Sequence, residues 1–527
     1  MSFLQLPVSS FDHPILCYQG SFDPPHRGHI SSLQAAMNKI SAAAAVVIVC
    51  NGENEEKPNR SSWEHRTNMA RSCFAHLENV YVSELPDKES KALLLKDRYV
   101  FTLVGSDSWP RYSQRPRIPF NGICVSLRDG EFRSEDQTEI QGKPVFFVTP
   151  ELQKISSSKI RSLCTLTPQV YDESGLIPSE FAELLIPQTL NYIQTTKLYK
   201  PTQAQRFECI KNTIKDFMKA RSFIDPSFEL DFFSGHNFSS IDARGKSGDL
   251  TLIAKEKTNA TIFVKAYITP SHKKNFQLES DGIQTFKSLS LLRCKVPEIH
   301  WQKSYTGFSH IGFSYIDMPD LAFLFSQAIT SEGIDRFYRS CFCIGRSLAE
   351  LHHARIDPIS LDALNEKIEV LNQRSLGRLN KLPSNLREQF SPIYQESYLK
   401  FLQNPGYHTY VHGDASLSNF LCDVDKEEVF VVDLESFSKA KSHDGSPSGI
   451  PAEDYHRFLG DMVWLNTIEP IEEETLLSAQ LAFESGYSTM DSIITPEAHD
   501  YFKNYWILRN KMIKTQLLSN VDESNAL

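Results

Sequence analysis

Ten residues, Gly20-Ser21-Phe22-Asp23-Pro24-Pro25-His26-Arg27-Gly28-His29, lie between a short apolar run, Ile15–Gln19, and an amphipathic stretch, Ile30–Lys39. A buried strand that passes through a glycine-bearing loop straight into a helix is the building unit of a parallel sheet. The alternation continues. Ala45–Cys50, Val80–Ser83, Tyr99–Val104, Gly122–Ser126 and Val145–Thr149 read as further short strands, and segments such as His65–Leu77 between them have helical spacing. The first 200 residues are therefore expected to form an α/β domain with a parallel sheet covered on both faces. Ligands bind such sheets at the carboxyl ends of the strands.

The loop itself is suited to an anion. Gly20 and Gly28 permit tight backbone geometry, and the helix start offers unpaired N–H groups and the positive end of its dipole. His26 and His29 stand three apart at that helix start, so both imidazoles can face one ligand. Two donors beside a phosphate suit in-line attack on an α-phosphate, where the protein positions reactants and stabilises charge. Downstream, Ile155-Ser156-Ser157-Ser158-Lys159-Ile160-Arg161 reads as a Ser-capped helix start with two nearby cations, a match for a triphosphate.

The string Gly20–His29 resembles the signature of the HxGH nucleotidylyltransferases, specifically the nicotinate/nicotinamide mononucleotide adenylyltransferases, over about residues 12–200. The resemblance implies a Rossmann-like fold and joining of ATP to a mononucleotide with release of pyrophosphate, Mg²⁺ shielding the phosphates. It makes His26 and His29 catalytic and places Gly20, Ser21 and Phe22 against the nucleotide. Ser156, Ser157, Ser158 and Arg161 match the family's second phosphate motif. Leu103-Val104-Gly105-Ser106-Asp107-Ser108-Trp109 resembles its third element, with Gly105 and Asp107 at the ribose or adenine. Lys57 and Arg66 fall where the family has basic residues near the substrate phosphate. Leu185–Tyr199 is similar to the family's closing helix, which sets a boundary near residue 200. Two stretches depart from the pattern: the Arg-rich Pro110–Pro119 supplies no aromatic to stack on a pyridine, and Asn51–Glu56 is acidic.

A different pattern follows Tyr199-Lys200-Pro201. Residues 222–267 read as a small antiparallel unit with strands at Leu250–Ala254 and Thr261–Tyr267, and another strand-like piece is Phe313–Ile316. From Gly333 the chain is mainly helical, interrupted by a hairpin over Tyr410–Leu434. Within it, His412-Gly413-Asp414-Ala415-Ser416-Leu417-Ser418-Asn419 is followed by Val429-Phe430-Val431-Val432-Asp433-Leu434-Glu435. An Asp five residues before an Asn, then an Asp closing a strand, supplies a base and two oxygen ligands for Mg²⁺, the parts phosphoryl transfer needs.

This arrangement resembles the aminoglycoside phosphotransferase and choline kinase superfamily, a two-lobed α+β protein-kinase-like fold, over about residues 222–510. The resemblance makes Asp414 the catalytic base and Asn419 and Asp433 the metal ligands. Lys265 becomes the ATP-binding lysine with Glu279 as its partner, and Tyr315-Ile316-Asp317 the hinge facing adenine. His352 and Asp454 are read as structural. Ser234–Ser240, at the place of the nucleotide loop, has one glycine and no GxGxxG. Gly245-Lys246-Ser247 is not a Walker site, because position 240 is Ser240 where that motif requires glycine.

Composition sets the outer limits. A formal net charge of −10 argues against a nucleic-acid polymer as partner, since such binding rests on neutralising phosphates. The 10 cysteines show no CxxC pair and no metal-ligand spacing, which suits reduced thiols in the cytoplasm. The first twenty residues lack the basic start and apolar core of a signal peptide, and no apolar run is long enough to span a membrane. The expected order is a nucleotidylyltransferase domain at 1–200, a linker helix at 201–221, a phosphotransferase domain at 222–515 and a polar tail at 516–527. ATP and small molecules are the expected partners, with the oligomeric state open. The expectation is a bifunctional enzyme. A cytidylyltransferase fused to a choline-type kinase, and a domain that binds nucleotide without turnover, are the alternatives.

Overall fold

The computed structural model describes residues 6–7, 9–10, 12–51, 60–114, 119–127, 139–171, 179–221, 228–232, 250–256, 259–269, 271–328, 330–359, 361–439 and 446–524. Lys57, the Ser234–Ser240 loop, Gly245-Lys246-Ser247 and most of the acidic stretch after Asn51 lie outside them. The chain divides into two compact units, Met1–Phe217 and Met218–Leu527.

In the first unit the order is β1 (Ile15–Gly20), α1 (Arg27–Lys39), β2 (Ala44–Val49), α2 (Trp63–Phe74), β3 (Val80–Val82), α3 (Asp87–Leu95), β4 (Val100–Gly105), α4 (Trp109–Ser113), β5 (Gly122–Ser126), β6 (Glu139–Ile140), β7 (Lys143–Val148), α5 (Ser157–Leu166), α6 (Ser179–Leu184), α7 (Pro187–Thr196) and α8 (Gln203–Ala220). The strands form one seven-stranded sheet in the order β3-β2-β1-β4-β5-β7-β6. Every pair is parallel except β6 with β7. The expected parallel-sheet, Rossmann-like domain is present. All six residues of β2 are buried, as a strand covered on both sides requires. Leu16, Ala45, Val47, Leu103 and Cys124 pack on one face with Leu33, Ala36 and Phe74. Ile15, Cys17, Val46, Ile48 and Ile123 pack on the other with Leu94 and Trp109. Strands run outward from β1 to β2 and β3, then resume on its other side at β4, so the order in which strands are added reverses between β1 and β4. A crevice opens at the carboxyl ends there.

The second unit begins with β8 (Glu229–Phe232), β9 (Leu250–Glu256), β10 (Asn259–Tyr267), α9 (His272–Ser288), β11 (Cys294–Lys295), β12 (Ile299–Ser304) and β13 (Ser309–Ser314). Five of these strands make an antiparallel sheet, β12-β13-β10-β9-β8. The chain then becomes helical: α10 (Leu321–Gln327), α11 (Ser331–His353), β14 (Ile356–Pro358), α12 (Leu361–Leu379), α13 (Ser384–Gln403), β15 (Tyr407–Thr409), β16 (Phe420–Asp423), β17 (Glu428–Val431), α14 (Glu435–Lys439), α15 (Pro451–Ile468), α16 (Glu473–Tyr487) and α17 (Pro496–Ser524). This is the two-lobed α+β layout. The strand expected at Phe313–Ile316 lies earlier, at β13, and the backbone is helical through Ser524, into the stretch whose polarity suggested a tail. No helix among the described residues is long and apolar enough to cross a membrane.

Candidate functional site

At the crevice of the first unit a cleft of about 990 Å³ is lined by all three of the sequence motifs, among other segments. The loop after β1 contributes Gly20, Ser21, Phe22, Asp23, His26, Gly28 and His29. The end of β4 contributes Gly105 and Asp107, and the start of α5 contributes Ser156, Ser157, Ser158 and Arg161. Motifs that are 130 residues apart in sequence share one wall because each follows a parallel strand.

Phe22 organises the first loop. Its φ of 50° is unfavourable for a bulky residue by about 1 kcal/mol or more. Burial of the ring edge-on against Tyr18, Phe74 and His29 offsets that cost. The His26 and His29 rings stack with centroids 3.7 Å apart. The His26 backbone N–H donates to His29 Nδ1 at 3.2 Å. An accepting Nδ1 leaves the proton on Nε2, the donor that a phosphate oxygen needs.

Asp23 joins the motifs. Buried at 3% exposure, it accepts from the Tyr199 hydroxyl at 2.6 Å and lies 3.8 Å from Arg161 Nη1. Arg161 also donates to the Asp23 carbonyl and, at 3.2 Å, to the Ser158 hydroxyl. Ser157 Oγ donates to the Pro24 carbonyl at 2.8 Å, and Ser156 caps α5 by accepting from Lys159 N–H. Burial, with Asp23 beside it, pushes the Tyr199 phenol well above its usual range, so it stays a neutral donor.

Two glycines sit where a Cβ would crowd a neighbouring side chain. A Cβ on Gly105 would fall 2.5 Å from Asp107 Oδ1. One on Gly28 would lie 3.1 Å from the His26 ring and 3.3 Å from Ile155. Gly28→Ala is expected to shift the His26 ring and lower nucleotidyl transfer by about 10- to 100-fold, given how steeply rate depends on sub-ångström placement. Steady-state kinetics, with an unchanged thermal midpoint as the folding control, checks this.

Arg66 is buried and committed to protein. Its Nη1 donates to the Ser21 and Cys50 carbonyls at 3.0 and 2.7 Å, and Nε to Ser61 at 2.9 Å. It shapes the wall behind the cleft without lining it. Arg60 and Arg111, which sequence reading did not single out, do line it, and Arg60 reaches Ser21 Oγ at 3.2 Å.

In the second unit Lys265 on β10 meets three carboxylates: Asp433 at 2.8 Å, Glu279 of α9 at 3.2 Å and Glu435 at 3.8 Å. Burial opposes the charge on Lys265, yet Glu279 foremost holds its pKa well above the ordinary lysine value. Glu279 Oε1 also accepts the Leu434 N–H at 3.0 Å, fixing the chain just after Asp433. Asp433 has a φ of 61°, a conformation Asp tolerates better than most residues. Carboxylate oxygens of Glu279, Asp433 and Glu435 lie within 4.8 Å of one another. Asn419 Nδ2 donates to the Asp414 carbonyl at 2.9 Å, which leaves its Oδ1 for another partner. An all-oxygen donor set of this kind suits a hard cation.

Asp414 sits on a loop held from below. Asp454 of α15 is fully buried and accepts the backbone N–H groups of His412 and, at 2.9 Å, Gly413. His352 Nε2 lies 3.3 Å from it, and His352 Nδ1 meets the Tyr487 hydroxyl at 2.7 Å. His352 and Asp454, read as structural, are tied to each other, and Asp454 holds the backbone just before Asp414. Burial alone would raise the Asp454 pKa, but His352, His412 and the Gly413 N–H hold it below the usual aspartate value. Its contribution to stability is present above the unfolded-state pKa of about 3.9 and is lost as pH falls through the lower folded value. Asp454→Asn turns an acceptor into a donor facing a backbone N–H. The expected cost is about 2–4 kcal/mol, read as a lower unfolding midpoint of this unit at pH 7 and a smaller loss below pH ~4 than in wild type.

Arg457, also on α15, places Nη2 2.7 Å from Asp414 Oδ1. Nothing in the local sequence marks it, because it stands 43 residues beyond Asp414.

Comparison with known proteins bears chiefly on the first unit. Residues 17–163 match the family model described as cytidylyltransferase-like. The N-terminal unit is cytidylyltransferase-like. Phosphopantetheine adenylyltransferases of Clostridium perfringens, strains SM101 and ATCC 13124, are 26% identical over 171 residues, covering 32% of this chain and 89% of theirs. A solved Plasmodium falciparum nicotinic acid mononucleotide adenylyltransferase complexed with APC is 18% identical and covers 36% of this chain and 98% of that one, with a TM-score of 0.28. A glucosamine kinase in complex with glucosamine, ADP and inorganic phosphate is 12% identical and covers 59% of this chain and 82% of that one, with a TM-score of 0.39.

Proposed function

We propose that the chain carries two transferase activities that both consume ATP with Mg²⁺. The first unit transfers an adenylyl group to a phosphate monoester, a nicotinate or nicotinamide mononucleotide in the reading of its motifs, releasing pyrophosphate. The second phosphorylates a hydroxyl of a small molecule, and its product is a candidate acceptor for the first. The observation that carries the first activity is the convergence of the Gly20–His29 loop, the Gly105–Asp107 turn and the Ser156–Arg161 helix start on one cleft. His29 Nε2–H and Arg161 serve the phosphates, with Asp23 holding Arg161 in place. Support for adenylyl over cytidylyl transfer comes from the curated relatives, which are adenylyltransferases. Their name also keeps phosphopantetheine beside a mononucleotide as the acceptor. Both are phosphate monoesters, so the chemistry at the cleft is the same.

For the second unit the support is the Lys265–Glu279–Asp433 constellation next to the Asp414 loop. Lys265 would hold ATP phosphates, Asp433 and Asn419 the cation, and Asp414 would orient the attacking hydroxyl. The test uses ATP labelled at either end, with a mixture of cytosolic small molecules. Label from the α-phosphate is expected in a dinucleotide-type product, and label from the γ-phosphate in a phosphomonoester. Label from α-labelled CTP without label from ATP would overturn the adenylyl assignment.

A further inference from the structure

Around Asp414 the second unit gathers more positive charge than its own carboxylates balance. Arg457 and Arg509 approach the Trp506 ring, their guanidinium carbons 4.6 and 5.0 Å from its centroid. Arg378 of α12 lies 4.4 Å over Tyr505, whose ring is 5.4 Å from that of Trp506. Two carboxylates are nearby. Asp414 pairs with Arg457, and Asp461 accepts the Leu417 N–H at 3.1 Å. Among the described residues neither Arg378 nor Arg509 forms an ion pair.

Among the described residues, three buried donors in this cluster also lack a hydrogen-bond partner: Arg457 Nε, Arg378 Nη1 and Trp506 Nε1. Arg457 is 6% exposed. A buried guanidinium without full pairing is costly and uncommon in a purely structural role. Burial, then the field of Arg457, lowers the Arg509 pKa to about 10, which leaves it charged at neutral pH. The shared deficit is of acceptors, and all three arginines and the indole offer donors only.

We propose that Arg378, Arg457 and Arg509, on the platform of Tyr505 and Trp506, form the acceptor subsite of the phosphotransferase unit, and that its substrate carries an oxyanion, a carboxylate or phosphate, besides the hydroxyl presented to Asp414. The inference rests on the phosphotransferase reading of that unit. Binding of the anion satisfies the orphaned donors and draws Arg457 from Asp414, freeing the carboxylate to accept the hydroxyl proton as the oxygen bonds to the γ-phosphorus and ADP leaves. The arginines select a substrate that a neutral alcohol of equal size cannot replace, since charge-assisted hydrogen bonds are stronger than neutral ones.

The test uses the full chain with γ-labelled ATP, Mg²⁺ and a small-molecule extract separated by anion exchange into retained and flow-through fractions. The labelled phosphoester is expected from the retained fraction alone. Phosphatase treatment of that fraction beforehand separates the two anions: loss of the acceptor means a phosphate ester, survival a carboxylate. Arg509→Met is expected to lower kcat/KM for the acceptor by about 10- to 100-fold with the KM for ATP unchanged, and Arg509→Lys to restore part of it. Label arising from the flow-through fraction, or an Arg509→Met enzyme with unaltered acceptor kinetics, would overturn the anionic subsite while leaving the kinase reading standing. Label from neither fraction would overturn the kinase reading, and the subsite with it.

Discussion

Replacing His29 with alanine is expected to lower α-phosphate transfer by about 10²- to 10³-fold, the loss typical of removing one preorganised donor from a developing oxyanion. The reason is geometric. His29 Nδ1 is occupied by the His26 N–H, and its ring is held between the His26 face and the Phe22 edge, so Nε2–H points from a fixed place. A donor that need not reorganise stabilises the transition state more than water does. The helix should survive, because the lost side-chain hydrogen bond contributes about 1 kcal/mol. Incorporation of α-label from ATP measures the effect, and γ-label transfer by the second unit should be unchanged. A loss smaller than tenfold would remove His29 from the chemistry of the cleft.

The second large effect is expected of Asp414→Asn, a fall of about 10²- to 10⁴-fold in γ-phosphate transfer, as for loss of a general base. Asparagine keeps the size of the side chain and one oxygen for Arg457, so the Asp454-pinned loop should keep its shape. Affinity for ATP should be little changed, since Lys265, Glu279 and Asp433 are untouched. Retention of γ-label transfer in this variant, with normal folding, would mean that Asp414 is not the base. Coupled loss of α-label transfer would contradict two independent sites.

Much of the cleft was legible in sequence because its parts are local. The Gly20–His29 loop, the Gly105–Asp107 turn and the Ser156–Arg161 helix start each follow a strand, and a parallel sheet brings such segments to one edge. Arg66 illustrates the limit: the family resemblance placed it near the substrate phosphate, while its guanidinium meets three backbone carbonyls. Arg60 and Arg111 line the cleft with no motif to announce them. In the second unit, Asp414, Asn419 and Asp433 fall within twenty residues and were readable by spacing. Glu435 could not be distinguished from any acidic residue after a strand.

The sequence by itself determined the parallel-sheet unit, the two-lobed unit after it and the loops that carry histidine, serine and aspartate to their edges. Periodicity and short motifs encode those features within a few residues of chain. Only the tertiary structure decided which histidine nitrogen carries the proton, that Asp23 ties Tyr199 to Arg161, and that Asp454 holds the Asp414 loop. It alone assembled Arg378, Arg457 and Arg509 around Trp506. Those arginines come from three helices separated by as many as 131 positions, and their meeting depends on how the helices pack, which no local pattern records.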